Sequence, residues 1–514
     1  MARISSVSGN QIASLDAEEL GGLIEVHGST EIAKLLIEAE AKPDQADIHG
    51  ATPLRAAGEG SFLDIFRVLL EAKADKDLSD SAGATPLMVF AREGSAAVVR
   101  ALLEASADKN RAALDKETPL LAAARAGHCH TVHLLLDARS EQRPDRTGTT
   151  PLHAASQNSL AEMVELLILR RADVVKTDLK RRSPLLVAAR AGCAEAAGLL
   201  LAAHADCEAG SVVKDTPLLV AAMHGHLEVV RWLLCSAAQT NTQNCDGTTP
   251  LSAAAGNGHA GIVQELVWSS AEVDRTDHIG ASPLLVAATF GQLQAVHALV
   301  DARASADLAD LHHETPMLAA ARAGFSEIVL TLLGARASHQ ADATGATPLR
   351  TACANGHAAI AQALLESRAC ANAADINGTT PLLAASRQGH QGIAETLLLA
   401  GADADQSDAS GVTPLLAASG LGHMTILRLL LEAKADIDRP NANDETPVFV
   451  AAVQGHSKIL QQLLAEGANE TKTQAAAVAL AEAGWWKLLP EVQALLCPDD
   501  DCGQLPEKLT PDDR

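Results

Sequence analysis

Apolar and polar positions along this chain follow a helical spacing that breaks off and restarts at short, regular intervals. In HLEVVRWLLCSAA, His226 to Ala238, Leu and Val recur three and four residues apart, the mark of one buried face on a short helix. The register of this pattern is set by a Thr-Pro or Ser-Pro pair that returns at Thr52, Thr85, Thr118, Thr150, Ser183, Thr216, Thr249, Ser282, Thr315, Thr347, Thr380, Thr413 and Thr446. The intervals are ten of 33 and two of 32 residues. Counted from the hydroxyl residue, Gly stands nine residues on in eleven of the thirteen copies, and an apolar pair stands at seventeen and eighteen in all of them. Each copy therefore predicts two helices. Ser or Thr caps the first, with Pro at its opening position where a missing N–H is harmless. The Gly ends it in a tight turn, an amphipathic second helix follows, and an Asp-x-x-Gly turn such as Asp47 to Gly50 or Asp375 to Gly378 leads to the next copy. One copy buries too little surface to fold alone, so neighbours must stack.

These residues carry a family resemblance. DATGATPLRTACANGHAAIAQALLESRA, Asp342 to Ala369, resembles the ankyrin repeat, and so does the copy around Ser183, where Arg181 replaces the turn Gly. The resemblance implies an all-α fold, an ankyrin-repeat solenoid of paired antiparallel helices with hairpin-like loops, of about thirteen full copies with degenerate capping units. It also implies a concave face, formed by hairpins and first helices, that binds other proteins. The expected organisation is a short leader over 1–15, a degenerate N-terminal capping repeat over 16–50, the repeat array over 51–472, C-terminal capping helices over 473–496 including Trp485 and Trp486, and an acidic disordered tail over 497–514.

Composition narrows the partner. Apolar residues make up 47% of the 514 residues but aromatics only 2%, with no Tyr, so the core must be Ala and Leu in closely spaced helices. A formal charge of −24 disfavours nucleic acid and anionic membranes, whose phosphates demand excess Lys and Arg. The odd count of nine Cys predicts reduced thiols in a cytoplasmic protein, with nuclear entry left open. The most apolar run, Leu185 to Ala205, carries Arg190 and Glu195 and predicts no membrane span. A monomer is expected.

Chemistry-bearing motifs dissolve into the register. HCHTVH, His128 to His133, looks metal-binding, yet His128 stands ten residues after Thr118, where His recurs at 226, 259, 357, 390, 423 and 456. No nucleotide-binding, hydrolase, zinc-protease or kinase signature is present, so no enzyme, cofactor or metal is expected.

Departures from the pattern carry more information. Basic residues replace the usual Gly twenty-one after the hydroxyl residue, as at Lys73, Arg139, Arg171, Arg303, Arg336, Arg368 and Lys434. The exposed concave positions implied by the resemblance are mostly small or polar, with one basic cluster: Arg125, Arg146, Lys180, Arg182 and Arg190. Between Arg139 and Arg190 ten Lys or Arg face six Asp or Glu, a local net of +4. This predicts a scaffold that binds an acidic or phosphorylated segment of another protein, with Phe290 as a candidate apolar anchor. The alternative is an adaptor that recruits substrates to a ubiquitin ligase, kinase or phosphatase complex.

Overall fold

The computed structural model describes residues 30–38, 42–44 and 52–469. The expected leader, most of the degenerate first unit, the closing helices over 473–496 and the tail lie outside the described residues. Within the described residues the chain groups into two compact units, the first extending to Pro250 and including Trp268–Ser270, the second comprising Leu251–Val267 and continuing from Ala271.

The first unit holds α1 (Thr30–Glu38), α2 (Pro53–Glu59), α3 (Leu63–Glu71), α4 (Pro86–Glu93), α5 (Ala96–Glu104), α6 (Pro119–Ala126), α7 (Cys129–Asp137), α8 (Pro151–Gln157), α9 (Ala161–Leu169), α10 (Pro184–Ala191), α11 (Ala194–Ala202), α12 (Pro217–His224) and α13 (Leu227–Cys235). The second holds α14 (Pro250–Gly256), α15 (Ala260–Trp268), α16 (Pro283–Thr289), α17 (Leu293–Asp301), α18 (Pro316–Ala323), α19 (Ser326–Gly334), α20 (Pro348–Asn355), α21 (Ala358–Glu366), α22 (Pro381–Gln388), α23 (Gln391–Leu399), α24 (Pro414–Leu421), α25 (Met424–Glu432), α26 (Pro447–Val453) and α27 (Ser457–Ala465). No strand occurs among the described residues. In the first unit α2, α4, α6, α8, α10 and α12 pack side by side in one row, and the second helix of each copy packs against its neighbour in a parallel row. The second unit repeats this arrangement from α16 to α27.

Local chemistry sets every boundary. The Thr118 hydroxyl accepts the Leu121 amide at 3.3 Å and Thr380 accepts the Leu383 amide at 3.1 Å, each with extended backbone at the cap and Pro next. Copy four adds a reciprocal bond, because the His153 ring Nδ1 accepts the Thr150 amide at 3.3 Å while its Nε2 donates to the Arg182 carbonyl at 2.9 Å. Burial lowers the pKa of that imidazole, which favours its neutral form.

The turn between helices also joins one copy to the next. Gly94 ends α4 with φ 79°, and a Cβ there would come within 2.5 Å of His128 Nδ1 in the following copy. That imidazole sits at the start of α7 and bonds the Arg92 carbonyl through Nε2 at 3.0 Å. The recurring His is therefore a staple between copies, and it requires Gly beneath it. Second helices end in a left-handed residue followed in all but one copy by Ala, whose amide reaches five residues back, as Ala74 does to the Leu69 carbonyl at 3.0 Å. The left-handed residue is mostly basic: Lys73, Arg139, Arg171, Arg303, Arg336, Arg368 and Lys434 all have φ between 60° and 66°.

The core is Leu and Ala, as composition requires. Leu135, Ala123 and Val132 in the third copy are fully buried, and truncating one such Leu to Ala costs about 2–5 kcal/mol.

Two substitutions test the capping account. Arg303→Gly removes about 1 kcal/mol of left-handed strain and loses a cation near a helix C-terminus worth about 0.3–1 kcal/mol, so thermal melting should stay level or rise. Gly94→Ala should lower stability by about 1–3 kcal/mol, because the backbone strain adds to the His128 clash. A clear drop for Arg303→Gly in the same melting series would contradict the account.

Candidate partner-binding surface

The loop before most Thr-Pro pairs is built around one carboxylate. Asp178, five residues before Ser183, accepts the amides of Lys180 at 2.9 Å and Arg182 at 2.8 Å through Oδ1. Asp342 and Asp408 do the same in the second unit, and the side-chain oxygens of Asn244 and Asn441 substitute for the carboxylate. Neighbouring tips are joined by a backbone bond: Leu179 N–H donates to the Thr147 carbonyl at 2.9 Å and Val212 N–H to the Lys180 carbonyl at 3.1 Å. The tips thus form a hydrogen-bonded ridge along the first unit.

The outer carboxylate oxygen is used as well. An Arg seven residues after the hydroxyl residue reaches the carboxylate of the next copy, pairing Arg125 with Asp145 at 2.8 Å, Arg322 with Asp342 at 3.4 Å, and Arg387 with Asp408. Burial alone would raise these three carboxyls, but hydrogen bonds from a hydroxyl, the backbone and the Arg outweigh it at Asp145 and Asp408 and hold them below the usual value of 3.8. At Asp342 the hydroxyl and amide bonds, with the charge of Arg322, do the same.

Two copies of the first unit have neither the loop Asp nor an Asn at this position. Ala113 stands in its place in copy three, and Arg92 turns instead to Glu117 at 2.6 Å, which Arg125 also meets at 2.6 Å. The Glu117 side chain is only 5% exposed and fully engaged. In copy six Ser211 replaces the carboxylate and its hydroxyl accepts the Asp215 amide at 3.2 Å. Arg190, the guanidinium one copy earlier, is exposed and has no carboxylate within ion-pair distance among the described residues.

The sequence-derived cluster divides on this geometry. Arg125 is held by Glu117 and Asp145, and Arg182 by Asp178 at 2.6 Å, so both charges are neutralised internally. Arg146 donates to the Leu114 carbonyl at 3.3 Å and keeps its charge unpaired, as do the exposed Lys180 and Arg190. These three belong to consecutive parts of copies four and five, on the ridge and at the end of α10. Phe290 belongs to the second compact unit, 64% exposed at the end of α16 beside Gly256.

The tips are also more apolar than expected. Leu114, Leu179, Val212 and Val213 are exposed between the cations, with Leu179 at 75%; Ile279, Leu311 and Ile376 occupy corresponding sites in the second unit. The signal was an aliphatic residue three or four before the Thr, in loops where polar residues belong. Other tempting residues have structural partners: His133 Nδ1 lies 2.8 Å from Asp137 of the next helical turn, and burial pushes the Cys353 thiol up to about 12, leaving no thiolate. Among the described residues no group of three His, Cys, Asp or Glu side chains is arranged to hold a metal ion, and no helix is long and apolar enough to cross a membrane.

The family model described as ankyrin repeats (3 copies) matches residues 23–113, 109–178, 162–244, 185–277, 251–341, 316–408 and 396–474. The chain belongs to the ankyrin repeat family. Ankyrin repeats are generally protein–protein interaction modules, so the ridge of this ankyrin array is a natural surface on which to look for a partner. A search of curated proteins finds no match to the chain.

In this ankyrin array Asp408 has two roles that substitution separates. Asp408→Asn keeps the amide bonds, as Asn244 and Asn441 do, and loses the Arg387 charge, so it should cost about 1 kcal/mol; Asp408→Ala also strands two amides and should cost about 2–3 kcal/mol. The depressed carboxyls contribute stability that is present above about pH 3.8 and lost as pH falls through their folded values. Acid unfolding of Asp408→Asn should therefore be less steep below pH 3.8 than that of the parent chain.

Proposed function

We propose that the chain is a non-enzymatic scaffold whose first unit binds an acidic or phosphorylated segment of another protein along the ridge formed by copies four to six. The observation that carries this reading is the missing carboxylate at Ser211, which leaves Arg190 unpaired where Arg125, Arg322 and Arg387 are all neutralised. Lys180 and Arg146 add two further cations without carboxylate partners, and Leu179 and Val212 supply apolar surface between them. A guanidinium without an internal acid pairs with a carboxylate or phosphate in two-pronged fashion, and neighbouring apolar surface adds affinity that charge alone lacks. The chain's charge of −24 keeps non-specific polyanions away while this local excess admits an acidic segment. A reducing compartment, with the protein acting as a monomer in the cytoplasm, fits the free Cys193, Cys207 and Cys353.

Ser211→Asp is the sharpest test, since it restores the carboxylate found in other copies and captures Arg190 without deleting any cation. Affinity for a glutamate-rich or phosphoserine peptide, measured by fluorescence anisotropy, should fall about tenfold, equivalent to about 1.4 kcal/mol. Arg190→Glu should fall further, and both losses should shrink at high salt. Unchanged affinity in Ser211→Asp would remove the proposal.

A further inference from the structure

The second missing carboxylate leaves a groove. With Ala113 where Asp stands in most copies, a cavity of about 450 Å³ opens across copies one to three, bordered by Arg55, Val89, Glu93, Ala113, Leu114 and Asp115. Its two cations on the rim are already paired: Arg55 with Glu59 at 2.7 Å and with Asp80 of the groove's own wall at 3.7 Å, and Arg92 with Glu117 at 2.6 Å. Glu93 has no cation within ion-pair distance among the described residues; burial and then the neighbouring Glu59 raise its pKa, with Arg55 only partly opposing them. Asp115 uses one oxygen to accept the Glu117 amide at 3.0 Å and is otherwise unpaired. Glu93 is also the one acidic residue at eight after the hydroxyl residue; the other copies carry Gly, Ala, Asn, His, Phe, Gln or Leu there. The groove therefore joins an apolar wall of Val89, Ala113 and Leu114 to two carboxylates lacking a cation. That combination fits the aliphatic stem and charged tip of a long basic side chain.

We propose that this groove receives a lysine or arginine of the same segment whose acidic residues bind Arg190 and Lys180. The inference rests on the preceding proposal and adds the partner's charge pattern: a basic residue at one end and an acidic cluster at the other. Glu93 faces copy three as Arg190 faces copy six, so at about 10 Å per copy the two lie roughly 30 Å apart. An extended chain covers that distance in roughly nine residues.

The test uses the full chain and fluorescein-labelled synthetic peptides with one lysine and a run of glutamates, joined by a Gly-Ser spacer of that length, made in both chain directions. Matching peptides carry norleucine for lysine. Glu93→Gln should weaken one of the two lysine peptides roughly fivefold and leave its norleucine counterpart unchanged, while Ser211→Asp weakens both. If Glu93→Gln leaves both lysine peptides unchanged while Ser211→Asp still weakens them, the groove assignment is overturned and the acidic-segment site stands. If Ser211→Asp has no effect either, or the glutamate peptides do not bind, both are overturned.

Discussion

Stacking of one copy on the next is the interaction on which the rest of this structure depends. Helices of seven to nine residues lie well below the length that holds together in water, so neither helix of a copy persists alone. Fully buried Leu and Ala between adjacent copies supply the missing stabilisation. The small side chains of the first helices, such as Ala123 and Ala188, let neighbours approach closely, which is why an aromatic-poor chain can still bury a core within each unit.

Polar contacts then fix the register that burial alone would leave loose. The His128 ring lies over Gly94 and bonds the Arg92 carbonyl, the Leu179 amide bonds the Thr147 carbonyl, and Arg125 crosses to Asp145. Each of these contacts joins one copy to the next, so the loops, turns and helix ends are tied separately. Where the loop carboxylate is present beside an Arg of the preceding copy, as at Asp145, Asp342 and Asp408, it serves both the fold and the surface: its inner oxygen closes the loop and its outer oxygen neutralises the cation. Where Ala113 and Ser211 replace it, the loop closes by other means and the surface changes character. Loop structure and surface charge are thus coupled through a single position in the repeat.

Much of the fold was legible because it is written thirteen times. The Thr-Pro spacing places the first helix of every described copy, and the Gly nine residues on marks its end. The left-handed basic residues, from Lys73 to Lys434, could be located by register alone, since a helix C-terminus fixes backbone conformation whatever side chain stands there. The candidate surface was only partly legible. Net charge over Arg139 to Arg190 counts Arg125 and Arg182 as equivalent to Arg190, whereas neutralisation depends on whether an acid in the next copy lies within reach. That dependence spans twenty residues and surfaces only when copies are stacked. The exposed aliphatic tips Leu114 and Leu179 were passed over because helical periodicity carries no information about loops. Residues 470–514, which include Trp485 and Trp486, lie outside the described residues.

Hydrogen exchange of the full chain with and without an oligoglutamate peptide tests the central claim, that cations left without an internal carboxylate decide where this surface is open to acids. The account predicts slowed exchange confined to the loops over 145–149, 178–182 and 211–215, with the equivalent loops over 342–346 and 408–412 unchanged because their cations are already paired. Equal protection in all of these loops, or protection only in the second unit, would contradict it.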